Sequence, residues 1–237
     1  GVSYQSSGTF TNLGAGTYYI IVKDAAQCTA IRTVVLNQPT QLSLVARTFP
    51  VSCNGGNDGQ IEVTSAIGGT GAISYSINGT TYQSGTTFSG LTAASYTVYA
   101  KDVANCVTTV TVTVTQPSAV GATVTVTNPT CNGGSNGTIT ANGTGGVGGY
   151  AYSLDNQDYQ TTGYFSELTA GSYTVYVRDE NGCAYTTNVT INQPTAVTAT
   201  ISTTNSTCGN SNGGILLAAS GGSGTGYQYS LNGAAFV

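Results

Sequence analysis

One interval of 77 or 78 residues recurs along this chain and restricts it to tandem copies of a small domain. Gln-Pro stands at Gln38-Pro39, Gln116-Pro117 and Gln193-Pro194, steps of 78 and 77. The cysteines keep the same step in two series, Cys28, Cys106, Cys183 and Cys53, Cys131, Cys208. The run Cys53-Asn54-Gly55-Gly56-Asn57-Asp58-Gly59 returns as Cys131-Asn132-Gly133-Gly134-Ser135-Asn136-Gly137, and one residue shorter as Cys208–Gly213. With Gln-Pro as the boundary, residues 40–117 and 118–194 are complete repeats. Residues 1–39 are the C-terminal half of one, and 195–237 the N-terminal half of another. Proline fixes its own φ at each short junction, which stiffens it.

Within a repeat, apolar residues alternate with small polar ones over short runs bounded by Gly and Asn, the pattern of half-buried strands. In 118–194 this predicts about seven strands. Val120, Ala122, Val124 and Val126 belong to the first, Ile139 and Ala141 to the next, and Tyr173, Val175 and Val177 to a late one. Each repeat also places a leucine five residues before a tyrosine that opens a strong strand: Leu13 and Tyr18, Leu91 and Tyr96, Leu168 and Tyr173. A tyrosine at that corner, its hydroxyl bonded back to the main chain, recurs in immunoglobulin-like sandwiches. The expected fold is therefore all-β: tandem immunoglobulin-like β-sandwich repeats of 77–78 residues.

Cys-Asn-Gly-Gly-x-Asp/Asn-Gly, followed by a β-run and then Gly-Gly before a Tyr-rich strand, resembles the SprB-type repeat of Bacteroidetes cell-surface (gliding/adhesin) proteins. Residues 168–183, Leu-x-Ala-Gly-x-Tyr-Thr-Val-x-Val-x-Asp-x-Asn-Gly-Cys, extend the likeness over essentially the whole chain. The resemblance implies an exported surface protein, using type IX secretion, that extends from the cell and serves adhesion or gliding motility. The corresponding expectation here is a structural stalk or filament segment. The alternative is a carbohydrate-binding array: alternation turns Tyr99 and Tyr176 outward, where they would stack on surface glycans.

Other chemistry has little to work with. The chain has no histidine, methionine or tryptophan, so histidine-based triads and histidine metal sites are excluded. Five Lys and Arg cannot neutralise a nucleic-acid backbone, and no apolar run reaches the roughly 18 residues of a membrane span. Asp155 and Asp158 flank one hairpin turn and do not recur, a poor basis for a glycosidase pair. Asn57-Asp58-Gly59 faintly matches a calcium loop, but its counterparts carry Asn136 and Asn212, too few carboxylates for that ion. Asp24, Asp102 and Asp179 recur after a Lys or Arg and read as turn initiators. No catalytic residue, cofactor or metal is expected.

The six cysteines suit an oxidising compartment. In the expected topology Cys53 lies at the pole where its repeat ends, and Cys106 at the opposite pole, about 25 Å away along strands of about eight residues. A disulfide spans only about 7 Å between Cα atoms, so Cys53 is expected to meet Cys183 of the following repeat. Cys53–Cys106 with Cys131–Cys183 is the other pairing. Partners are expected among neighbouring repeats of the chain or head-to-tail copies. Gly1–Gln5 and Gly233–Val237 both align with Gly79–Gln83, so each end needs strands of equivalent sequence to complete a sandwich; the first expectation is that they come from covalent continuation of a longer chain, and the alternative is head-to-tail completion by another copy.

Overall fold

The computed structural model describes residues 4–233. The ends of the aligned segments Gly1–Gln5 and Gly233–Val237 therefore lie largely outside the described residues. Sixteen strands and no helix occur among those residues. Among the described residues no helix is long and apolar enough to cross a membrane.

The sheets follow the sequence period. Residues 40–117 hold β3 (Ser43–Phe49), β4 (Gly59–Ile67), β5 (Ser74–Ser76), β6 (Thr87–Leu91), β7 (Ala94–Lys101) and β8 (Val107–Val114). They form two antiparallel three-stranded sheets, ordered β3-β4-β6 and β5-β7-β8. Residues 118–194 repeat the plan with β9 (Gly121–Thr127), β10 (Gly137–Thr144), β11 (Ala151–Ser153), β12 (Tyr164–Leu168), β13 (Gly171–Arg178) and β14 (Ala184–Ile191), ordered β12-β10-β9 and β11-β13-β14. Each repeat thus has six strands rather than about seven. The segment expected as another strand makes a single bridge, Tyr75 to Gln83 and Tyr152 to Gln160. Its pairing stops there because the buried Ser76 and Ser153 hydroxyls accept amides of a tight turn, from Asn78 and Gly79 in one repeat and Asp155 and Asn156 in the other.

Two shorter hairpins complete the chain: β1 (Gly16–Lys23) with β2 (Thr29–Leu36), and β15 (Thr195–Thr204) with β16 (Gly214–Gly222). Contacts divide the molecule into two compact units. The first takes in the chain up to Phe49, Gln60–Gly90 and Ala94–Val114; the second takes in Pro50–Gly59, Leu91–Ala93 and everything from Thr115 onward.

In the second unit the core is the interior of the β9–β14 sandwich. Ile139, Ala141, Tyr152, Val175, Val177 and Ile191 are buried, with Val124, Val126, Phe165 and Leu168 packed around them. The two-residue alternation makes this possible. Val126 stands opposite Ile139 and Val124 opposite Ala141, so these apolar side chains share one face while threonines take the other. Each fully buried Val or Ile contributes roughly 1.5–3 kcal/mol. In the first unit Ile61, Val63, Tyr75, Val98, Ala100 and Val114 are buried at the equivalent alternating positions.

Candidate functional site at the Cys53–Cys183 cross-link

Within the second unit the loop 50–59 meets the hairpin 179–183 and is cross-linked to it. The loop is built first by its own residues. Gly55 takes φ +75, as Gly133 does at +74 in the next copy, a conformation that side chains with a Cβ resist. Asp58 Oδ1 accepts the Ser52 amide at 3.0 Å, and Oδ2 accepts the Ser52 hydroxyl. These two hydrogen bonds hold the Asp58 carboxyl below its ordinary pKa. Asn136 and Asn212 brace the equivalent loops through Thr130 and Thr207, receiving the amide and donating to the hydroxyl. The Asp/Asn position is therefore a loop brace, which an uncharged amide fills equally well.

The loop is then clasped to the end of its own repeat. Asn54 Nδ2 donates to Pro117 O at 3.0 Å, and the Gly55 amide donates to Gln116 Oε1 at 2.8 Å. Asn132 and Gly133 make the same pair of bonds to Pro194 and Gln193, at 2.9 and 2.8 Å. Cys-Asn-Gly-Gly and Gln-Pro, some 60 residues apart, are two halves of one device.

The hairpin is ordered by Asp179, which is buried. Its Oδ1 accepts the Cys183 amide at 2.9 Å and its Oδ2 the Val147 amide at 3.0 Å. Asp102 does the same for Cys106 and Thr70, both at 2.8 Å, and Asp24 Oδ1 accepts the Cys28 amide. Burial alone would raise the Asp102 pKa, but the amides of Thr70 and Cys106 outweigh it and the net direction is down. The residue before each of these cysteines is left-handed: Gln27, Asn105 and Gly182 at φ +69, +62 and +81. A three-residue turn of this kind needs such a position. At Gly146 a Cβ would come within 2.4 Å of Asp179 Oδ2, so only glycine admits the carboxylate.

With both parts fixed, Cys53 and Cys183 are joined by a disulfide, their Cα atoms 5.6 Å apart. Asn181 Nδ2 adds a donor to Ser52 O at 3.0 Å. Cys28, Cys106, Cys131 and Cys208 are unpaired and exposed.

The tyrosines fall into three groups. Tyr18 OH donates to Gly14 O at 2.8 Å and Tyr173 OH to Thr169 O at 2.9 Å. Tyr96 occupies the same place near the start of β7 and is half-buried. Tyr99 and Tyr176 alternate with buried neighbours and are half-buried themselves. The Tyr99 ring leans on the turn at Gly79, where a Cβ would lie 3.2 Å from it. A third set is placed by the cation that precedes each hairpin Asp. Lys23 lies over Tyr4, Lys101 over Tyr82 and Arg178 over Tyr159, at 4.5, 4.1 and 3.7 Å from the ring centres. The periodicity of these residues was visible in the sequence, but their pairing was not.

Asp155 accepts the Ser153 hydroxyl and the amides of Gln157 and Asp158, so its carboxylate is committed to the turn. These bonds, the Gln157 amide foremost, lower its pKa. Among the described residues no group of three or more Cys, Asp or Glu could hold a metal ion.

Comparison with known proteins assigns the repeat. The SprB repeat family matches residues 46–81, 123–158 and 200–236, the three windows that start in β3, β9 and β15. No curated protein matches. A solved structure described as "Structural basis for Dscam isoform specificity" is similar at 15% identity, with a TM-score of 0.29, over 75% of this chain and 54% of that one. This chain spans about half the length of that chain. The chain contains SprB-repeat domains, the repeat typical of Bacteroidetes cell-surface and gliding adhesins, and with them an extracellular place at the cell surface.

Proposed function

We propose that this segment is a load-bearing stalk or filament of a large exported adhesin, serving adhesion or gliding motility and performing no catalysis of its own. The observation that carries the reading is the cross-link between a loop of one repeat and the last hairpin of the next. Tension applied at the two ends enters at Cys53, crosses the disulfide and leaves at Cys183. The 130-residue separation between them is bypassed. The strands from β4 to β13 are thereby excused from the pull. A backbone cut anywhere between the two cysteines leaves the segment connected. Low charge, with 6% of residues Asp, Glu, Lys or Arg, leaves a hydrated surface with little field of its own, suited to a spacer.

Pulling single molecules by their ends tests this. Without reductant, unfolding should fall short of the full contour by roughly 430 Å, at ~3.3 Å for each bypassed residue. Reductant should restore that length. Full extension before any reductant is added would contradict the load path.

A further inference from the structure

Asparagine followed by glycine is a dipeptide prone to modify itself. The glycine nitrogen can attack the asparagine side-chain carbon, because no Cβ stands in its way. Asn54-Gly55 and Asn132-Gly133 are two such pairs, at equivalent places in the repeats 40–117 and 118–194. All four residues are exposed, so water and hydroxide reach them. Gly55 and Gly133 are also uncrowded: a Cβ built at either would meet nothing within 4 Å. Neither burial nor crowding shields these pairs.

The clasp engages both ends of the reaction instead. The attacking nitrogen is occupied, since the Gly55 amide donates to Gln116 Oε1 and the Gly133 amide to Gln193 Oε1, both at 2.8 Å. An amide proton shared with an acceptor is harder to remove, and until it is removed the nitrogen is a poor nucleophile. The leaving group is occupied too. Asn54 Nδ2 donates to Pro117 O at 3.0 Å, and Asn132 Nδ2 to Pro194 O at 2.9 Å. That bond fixes the side chain and must break before its carbonyl carbon can swing onto the neighbouring nitrogen.

The geometry points to Asn54 and Asn132 as latent self-modification sites, each held closed by the Gln-Pro clasp of its own repeat. Where a clasp opens, the glycine amide gives its proton to hydroxide and its nitrogen bonds to the asparagine Cγ. The Cγ–Nδ2 bond breaks, and Nδ2 leaves as ammonia with a proton taken back from water. Water then opens the resulting cyclic imide at either carbonyl, giving aspartate or isoaspartate. Neither product can rebuild the clasp. The donor to the proline carbonyl has become an acceptor, and isoaspartate also lengthens the main chain. A transient opening is thereby made permanent. The inference concerns the clasp alone and stands whether or not the disulfide carries load.

The test incubates the whole chain, with Cys53–Cys183 intact, in mildly alkaline buffer at physiological temperature, beside the same chain unfolded in guanidinium. Peptide mapping reads amide-to-acid conversion at each asparagine, and an isoaspartyl methyltransferase assay reads the isomer. A single hydrogen bond holds its groups by about fivefold, so folded Asn54 and Asn132 should convert at least roughly tenfold more slowly than in guanidinium. Gln116→Ala should speed Asn54 by about fivefold or more and leave Asn132 at its wild-type rate; Gln193→Ala should do the reverse. Gln116→Glu, which keeps an acceptor oxygen, should restore slow conversion at Asn54. Hydrogen exchange at the Val98 and Val175 amides, whose side chains are fully buried in the two sandwiches, reports whether each variant is folded. Should one alanine variant fail to fold, the other variant and the comparison with guanidinium decide. Wild-type Asn54 converting as fast as in guanidinium, or a folded Gln116→Ala protein without acceleration, would overturn the proposal. So would both asparagines accelerating together in one variant, or Gln116→Glu failing to restore the slow rate.

Discussion

The loops 50–59 and 128–137 are built alike, and only one of them is cross-linked. Both place a glycine at positive φ after Cys-Asn, both brace the turn with an Asp or Asn side chain, and both are clasped to their own Gln-Pro. Cys53 is bonded to Cys183, whereas Cys131 is free. The clasp is therefore a property of one repeat by itself. The disulfide also needs the last hairpin of the following repeat, which for the first loop supplies Cys183 and the Asn181 donor to Ser52. The cysteine contributes nothing to loop shape that the hydrogen bonds do not already supply. It converts a preformed loop into a joint.

That distinction can be broken experimentally at several strengths. Removing the joint should have the largest effect. Cys53→Ser or Cys183→Ser should cost about 2–5 kcal/mol by releasing a long loop in the unfolded chain, measured by denaturant titration of monomeric protein. Cys131→Ser should change almost nothing under the same conditions. Next comes the clasp. Gln116→Ala and Gln193→Ala each remove the acceptor of one loop amide and should each cost about 1 kcal/mol, by the same measurement. Equal losses mean that the clasp is independent of the joint. Loss of Asn181 is milder: Asn181→Ala should cost about 0.5–1.5 kcal/mol, the range of one hydrogen bond, and only while Cys53–Cys183 is intact.

The smallest effect distinguishes Asp58 from Asn136. The folded pKa of Asp58 lies below its ordinary value. Its stabilising contribution is therefore present above the unfolded carboxylate pKa and is lost as pH falls through the folded one. Hydrogen exchange at the Ser52 amide should quicken under acid, while exchange at the Thr130 amide, held by Asn136, should show no matching step. Asp58→Asn should remove the difference.

Much of this was legible from the residues alone. The period, the alternation of Val, Ile and Thr, and the Gly-Asn turns define an all-β repeat because a strand has only two faces and each must be assigned. What stayed hidden depends on contacts between distant segments. Gln-Pro reads as a stiff boundary, yet Gln116 and Gln193 are acceptors for an amide some 60 residues earlier. Asp102 and Asp179 read as turn initiators that serve their own hairpin. In the fold the second oxygen of each also reaches a separate loop, at Thr70 and Val147. Lys101 and Arg178 look like isolated charges until the hairpin tyrosines are folded beneath them. The missing seventh strand has a local cause: Ser76 and Ser153 use their hydroxyls to close a turn where alternation suggested more ladder.

The central claim is that a loop of one repeat is covalently tied to the last hairpin of the next. The most direct test is a peptide map of the unreduced protein, with free thiols alkylated before digestion. The account predicts one linked peptide pair within each chain, Cys53 with Cys183. Recovery instead of Cys53 with Cys106 and Cys131 with Cys183, bonds closed inside single repeats, would contradict it.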